Sequence, residues 1–174
     1  MSKKSFIRNL DKAFLTRAKM GDILTADSFK YFTGCSPKAM FENGYIEKEK
    51  HNLLNSSGEV EFINMPCYRF TDKFDKAMRR AGYSVRYNSC SDVHDIMLSN
   101  NLYKFAKELE LGIEDYVCET DLAKSTNGYS RPDGAFYSGS KTIFIEQTTE
   151  DYTPAMIQDK KDYANEFNSN IKIF

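Results

Sequence analysis

The sequence predicts an α/β chain, α+β overall, made of two parts of opposite charge. Three observations predict it. Apolar residues recur at helical spacing near the start of each half, alternating apolar segments follow the helices in each, and the charge changes sign near residue 90. Residues 1–90 carry 16 Lys/Arg against 10 Asp/Glu, a net of +6, and residues 91–174 carry 8 against 15, a net of −7. A basic half is the usual electrostatic footprint of a nucleic-acid contact, so residues 1–90 read as a basic domain and residues 91–174 as an acidic one. With 174 residues, 41% hydrophobic and 28% charged, the chain has the composition of an ordinary soluble protein.

Segment 5–18, SFIRNLDKAFLTRA, puts Phe6, Leu10, Ala13 and Phe14 on one stripe of a first amphipathic helix. Thr25 or Asp27 can cap a short helix through Phe32, Gly34 ends it, and Ser36-Pro37 opens another with proline in the first turn. That helix stops at Gly44 and runs into a short extended piece, Tyr45-Ile46. Residues 47–58 are polar and turn-rich, and VEFINMPCYRF then resumes apolar alternation, which suggests a two-stranded hairpin with a flexible tip. Helix–turn–helix followed by a hairpin is the winged-helix layout, in which the helix at 36–43 would enter a major groove. The cations that would meet DNA are Lys3, Lys4, Arg8, Lys12, Arg17, Lys19 and Lys38, with Arg79 and Arg80 added by a helix over 71–83 capped by Thr71. Winged helices also dock on proteins, and that alternative stays open.

In the second half, residues 91–110 place Leu98, Leu102, Phe105, Ala106 and Leu109 on one helical face, with Ser91 or Asp92 as N-cap. His94 falls on that same face, either as a hydrogen-bonded core residue or as an accessory to a nearby site. Strands are expected around Asp115–Thr120, Arg131–Tyr137 and Thr142–Thr148, then a helix from Thr153-Pro154 to Phe167 and a last short strand at Ile171–Phe174. The order is helix, three strands, helix, strand.

Within that order the stretch SRPDGAFYSGSKTIFIEQTTEDY carries the chemistry. Side chains alternate along a strand, so Asp133 and Glu146 would meet at one end of the sheet if their strands are neighbours. Two carboxylates there would hold magnesium or manganese, which activates a water and stabilises charge on a phosphodiester. On the helix at 154–167, at about 100° per residue, Lys160 falls in the middle of the apolar arc formed by Met156, Tyr163, Ala164 and Phe167. A lysine so placed snorkels past its neighbours, pairs structurally with an acid, or serves as a catalytic lysine. The four cysteines, Cys35, Cys67, Cys90 and Cys118, form no C-x-x-C pair, and there are two histidines, so a zinc site is not expected and reduced cytoplasmic thiols are. No apolar run approaches the ~20 residues of a membrane span, and MSKKSFIRNL does not read as a secretory signal.

On YRFTDKFDKAMRRAGY, SDVHDIMLSNNLYKFAKEL and RPDGAFY followed by IFIEQTTEDY, the chain resembles the replication-relaxation family of plasmid and mobile-element proteins. The resemblance implies a winged helix followed by a small restriction-endonuclease-like core of the PD-(D/E)xK type. It also implies a DNA-binding role in replication, transfer or its regulation for a plasmid, phage or other mobile element. In that superfamily a lysine stands two residues after the second acid; here the position is Thr148. The expectation is therefore a cytoplasmic DNA-binding protein with a degenerate nuclease site and no cofactor. One alternative is a magnesium- or manganese-dependent endonuclease using Asp133, Glu146 and Lys160. Another is a phage-type inhibitor, such as an anti-CRISPR, docking on a nucleic-acid enzyme through acidic residues 91–174. No membrane partner is expected, and a homodimer is compatible with all three.

Overall fold

The structure is a computed structural model and describes residues 10–174. Lys3, Lys4 and Arg8 lie outside the described residues. In the first half, helix α1 (Leu10–Met20) leads to a short strand β1 (Ile23–Thr25), then to α2 (Ala26–Thr33) and α3 (Pro37–Glu42). Strands β2 (Ile46–Leu54) and β3 (Val60–Phe70) form the hairpin, and α4 (Asp72–Arg80) follows. The caps read from the sequence are in place: Thr25, Ser36 and Thr71 each accept from a first-turn amide, and Gly34 ends α2 in the left-handed conformation at φ 62°.

Two features of this half depart from the sequence reading. β1 was not expected, yet it pairs antiparallel with β3, Ile23 opposite Arg69 and Thr25 opposite Cys67, giving a sheet ordered β1-β3-β2. Its three residues are all buried, so no alternation marks it. The polar stretch after Tyr45 is not a flexible tip but most of β2, an edge strand whose charged side chains Glu47, Lys48 and Lys50 face solvent. An edge strand open to water on one side needs few apolar residues, and charge there guards against edge-to-edge pairing.

The second half contains α5 (Asp92–Glu108), β4 (Tyr116–Cys118), β5 (Gly134–Ser138), β6 (Lys141–Glu146), α6 (Pro154–Glu166) and β7 (Asn170–Ile173). The sheet runs β4-β5-β6-β7, with the first three strands antiparallel and β7 parallel to β6 after the α6 crossover. The two helices cover opposite faces. Phe105 of α5 lies 6.0 Å from the Phe136 ring, while Tyr163 of α6 meets Phe144 edge-on at 5.2 Å. Alternation along β5 and β6 produces this division: Phe136 and Ile145 belong to the core with α5, Ala135 and Phe144 to the cluster with α6.

The boundary near residue 90 does not separate two cores. One apolar cluster runs from Phe14, Phe29 and Phe74 through Leu98 and Leu102 to Tyr116, Phe136 and Ile145. Hydrogen bonds cross the same boundary: Tyr31 Oη donates to the Leu111 carbonyl at 2.8 Å, and Ser28 Oγ donates to the Ser99 carbonyl. The first half thus buttresses α5, and α5 carries part of the site.

Candidate functional site

The site lies where β5 begins and β6 ends. Asp133 immediately precedes β5, and Glu146 is the last residue of β6, buried to 1% exposure. Gly134, between Asp133 and the rest of β5, is required by packing: a Cβ there would stand 2.5 Å from the Tyr116 ring carbon Cζ and 2.5 Å from the Val117 carbonyl oxygen. Tyr116 itself donates to the Asp133 carbonyl at 3.2 Å, so β4 fixes the turn that aims Asp133.

The acids are laced together through main chain. The Asp133 amide donates to Glu146 Oε2 at 3.1 Å, and the Gln147 amide donates to Asp133 Oδ2 at 2.7 Å. Two cations close on the pair from opposite helices. From α6, Lys160 Nζ lies 3.2 Å from Glu146 Oε1 and donates to the Arg131 carbonyl at 2.6 Å. From α5, His94 Nε2 lies 3.5 Å from Asp133 Oδ2. Of the readings left open for Lys160, snorkelling to solvent is excluded, because its ammonium sits on a buried acid. His94 is at once a buried core residue and a neighbour of the site.

Burial and the Asp133 carboxylate push the Glu146 carboxyl up to about 7, against the opposing pull of Lys160 and the Tyr152 hydroxyl. Burial works the other way on His94, but hydrogen bonds to Asp133 and Asp95 overrule it and hold the imidazole up to about 10. Asp95 is enclosed as well, accepting from Tyr87 Oη at 2.7 Å and Ser89 Oγ at 2.6 Å, with His94 Nδ1 at 3.4 Å.

Asp95 and Tyr152 were not singled out in the sequence. Tyr152 donates to Glu146 Oε1 at 2.6 Å. The signals were present: Asp95 is the other half of a His-Asp pair in a helix's first turn, and Tyr152 closes the same acidic stretch just before the cap of α6. Neither has meaning until the topology brings the helices over the strand ends.

A hard cation such as magnesium asks for several oxygens free to turn toward it at ~2.0–2.1 Å. Glu146 Oε1 already holds Lys160 and Tyr152, Glu146 Oε2 holds the Asp133 amide, and Asp133 Oδ2 holds the Gln147 amide and faces His94. This donor set, as folded, does not fit a resident divalent ion. Thr148, where the resemblance expects a lysine, is buried, its hydroxyl donating to the Phe174 main-chain oxygen at 2.5 Å and its amide to the same oxygen at 3.0 Å. That position ties β6 to the chain after β7. A second acidic group, Glu49, His51 and Asp92, brings ligand atoms within 4.8 Å of one another. There the Arg69 guanidinium pairs with Glu49 at 2.7 Å, Asp92 at 2.6 Å and Asp22 at 3.0 Å, so the balancing charge is built into the fold.

The cations expected to meet DNA divide in two. Arg17 pairs with Asp75 through two hydrogen bonds, at 2.9 and 3.0 Å, and Lys19 donates to the Ile113 carbonyl at 3.1 Å and to the Tyr116 carbonyl. Both work inside the fold, Arg17 held by Asp75 of α4 and Lys19 by carbonyls of the second half. Lys12 is half-exposed and paired with Glu114 at 2.9 Å. Lys38, Arg79 and Arg80 are exposed, joined on the surface by Lys48, Lys50, Lys73 and Lys76. Cys35, Cys67 and Cys118 are buried and Cys90 exposed, none of them in a disulfide. Among the described residues no helix is long and apolar enough to cross a membrane. Models of known protein families, characterised proteins and solved structures, when compared with this chain, give no match.

Proposed function

We propose that this chain is a DNA-binding protein of a plasmid, phage or other mobile element, acting in replication, transfer or its regulation. On this reading its first half is a winged helix and its second half an endonuclease-like core whose centre is closed by its own cations. One observation carries it: Asp133 and Glu146 meet at neighbouring strand ends, as a nuclease pair would, with Lys160 and His94 already in contact with them. The element order supports both halves of the reading, helix–strand–helix–helix–hairpin and then helix–three strands–helix–strand. The mobile-element role rests on the family resemblance.

Duplex contact falls to α3, the hairpin and α4, where Lys38, Lys48, Lys50, Arg79 and Arg80 are exposed. Phosphate contacts of this kind give affinity that falls with salt and depends little on sequence. Titration of a labelled duplex across a salt series tests it. The expected result is a linear fall of log K with log salt, shallower by about 0.9 for each phosphate contact removed. Absence of binding at low salt overturns the reading and leaves docking on a protein through the acidic half.

A further inference from the structure

Beside the acid pair, the loop between β4 and β5 encloses an open cleft of about 350 Å³, lined by Glu119, Lys124, Ser125, Tyr129, Ser130 and Arg131. Main chain joins it to the centre on both sides. The Glu119 amide donates to the Asp133 carbonyl at 2.8 Å, and Lys160 reaches the Arg131 carbonyl at 2.6 Å. Whatever occupies the cleft therefore lies within a residue or two of Asp133.

The loop is held in shape before any ligand arrives. The Glu166 carboxylate of α6 accepts from the Thr126 amide and hydroxyl, both at 2.7 Å, and from Ser125 Oγ at 2.5 Å. The Ser130 amide donates to Asp159 Oδ2 at 3.0 Å. Tyr129 is half-buried against the cluster of Leu122, Ala135, Phe144 and Tyr163, which makes it a fixed aromatic wall. These bonds pre-order the loop, which lowers the cost of binding.

The cations of the cleft are held less tightly than those of α1. No carboxylate among the described residues forms an ion pair with Lys124 or Arg131, and the Arg131 guanidinium reaches only the carbonyls of Thr120 and Leu122, at 3.5 and 3.4 Å. Two cations against the single carboxylate of Glu119, an aromatic wall and hydroxyl groups, in a space the size of a nucleotide, are the parts of a single-strand contact. The cleft is too small for a base pair with its two backbones.

We propose that this cleft binds one nucleotide of a single DNA strand, its phosphate on Lys124 and Arg131 and its base against Tyr129. The inference rests on the reading that the protein binds DNA.

The test is fluorescence anisotropy of a labelled oligothymidylate over a salt series, in parallel with a duplex. The wild type binds the oligothymidylate. Lys124→Gln/Arg131→Gln flattens the plot of log K against log salt by about 1.4, at about 0.7 per phosphate on a single strand, and leaves duplex binding unchanged. Lys124→Gln alone, at an exposed position, flattens it by about 0.7 and keeps the test intact if the double variant folds poorly. Tyr129→Leu weakens oligothymidylate binding about tenfold. An unchanged slope in both charge variants overturns the inference, as does a wild type that binds duplex but not single strands. A wild type that binds neither overturns the DNA-binding reading as well.

Discussion

Burial raises the Glu146 carboxyl to about 7, so between pH 4.5 and 7 the folded protein holds a proton that the unfolded chain has released. Stability therefore falls as pH rises through that window. His94 has the opposite charge type: with its folded value near 10 and an ordinary value of 6.5, its contribution is complete below pH 6.5 and is lost as pH rises toward 10. Thermal melts should show a midpoint that declines across both windows. Glu146→Gln should flatten the lower window and His94→Gln the upper one; a wild-type midpoint that does not change with pH would contradict the burial described. Gly134 gives a prediction of another kind. Valine there drives a branched side chain into Tyr116 and the Val117 carbonyl, both 2.5 Å from its Cβ position. Overpacking of this sort costs about 1–3 kcal/mol or more, and Gly134→Val should melt lower than Asp133→Ala.

At the scale of elements, α6 is joined to the sheet by an apolar face and one buried ion pair. Replacing Lys160 by methionine keeps the volume and removes the charge, leaving Glu146 buried without its cation, which costs about 3–5 kcal/mol when the acid is ionised. The loss should be larger at pH 8 than at pH 5. Glu146→Gln in the same chain should recover much of it, and equal, additive losses in a double-mutant cycle would show that the pair is not coupled. Much of this architecture was legible. Helix caps at Thr25, Ser36, Thr71, Ser91 and Thr153 mark α2 to α6 because their side chains bond first-turn amides locally. β1 and β2 were not legible, since one is too short to alternate and the other is an edge strand rich in charge. In the site, Asp133, Glu146 and Lys160 followed from alternation and helical periodicity. That His94 faces Asp133, and that Asp95 and Tyr87 stand behind it, depends on how α5 crosses the sheet, which no local pattern encodes. The same limit explains Arg17 and Lys19: their charge is visible in the sequence, but their partners come from distant segments.

For the molecule as a whole, the cations that hold the fold are distinct from those proposed to meet DNA. Arg17→Ala removes a half-buried bidentate pair with Asp75 and should lower the melting temperature while leaving the salt dependence of duplex binding alone. Arg79→Gln/Arg80→Gln should do the reverse, flattening the salt dependence by up to about 1.8 with little change in melting. The reverse assignment, with Arg17 governing affinity, would mean that α1 and not α4 faces the duplex. The polarity of the chain, +6 in one half and −7 in the other, then has a structural meaning: the acidic half holds a centre whose nearest cations are its own. Incubating the wild type with labelled duplex and single-stranded DNA in excess magnesium or manganese, and resolving the products on a denaturing gel, tests that most directly. The expected result is DNA that is bound in a salt-dependent manner and remains intact. Metal-dependent cutting that disappears in both Asp133→Asn and Glu146→Gln would contradict it, and its further loss in Lys160→Ala would make Lys160 the catalytic lysine of a working nuclease.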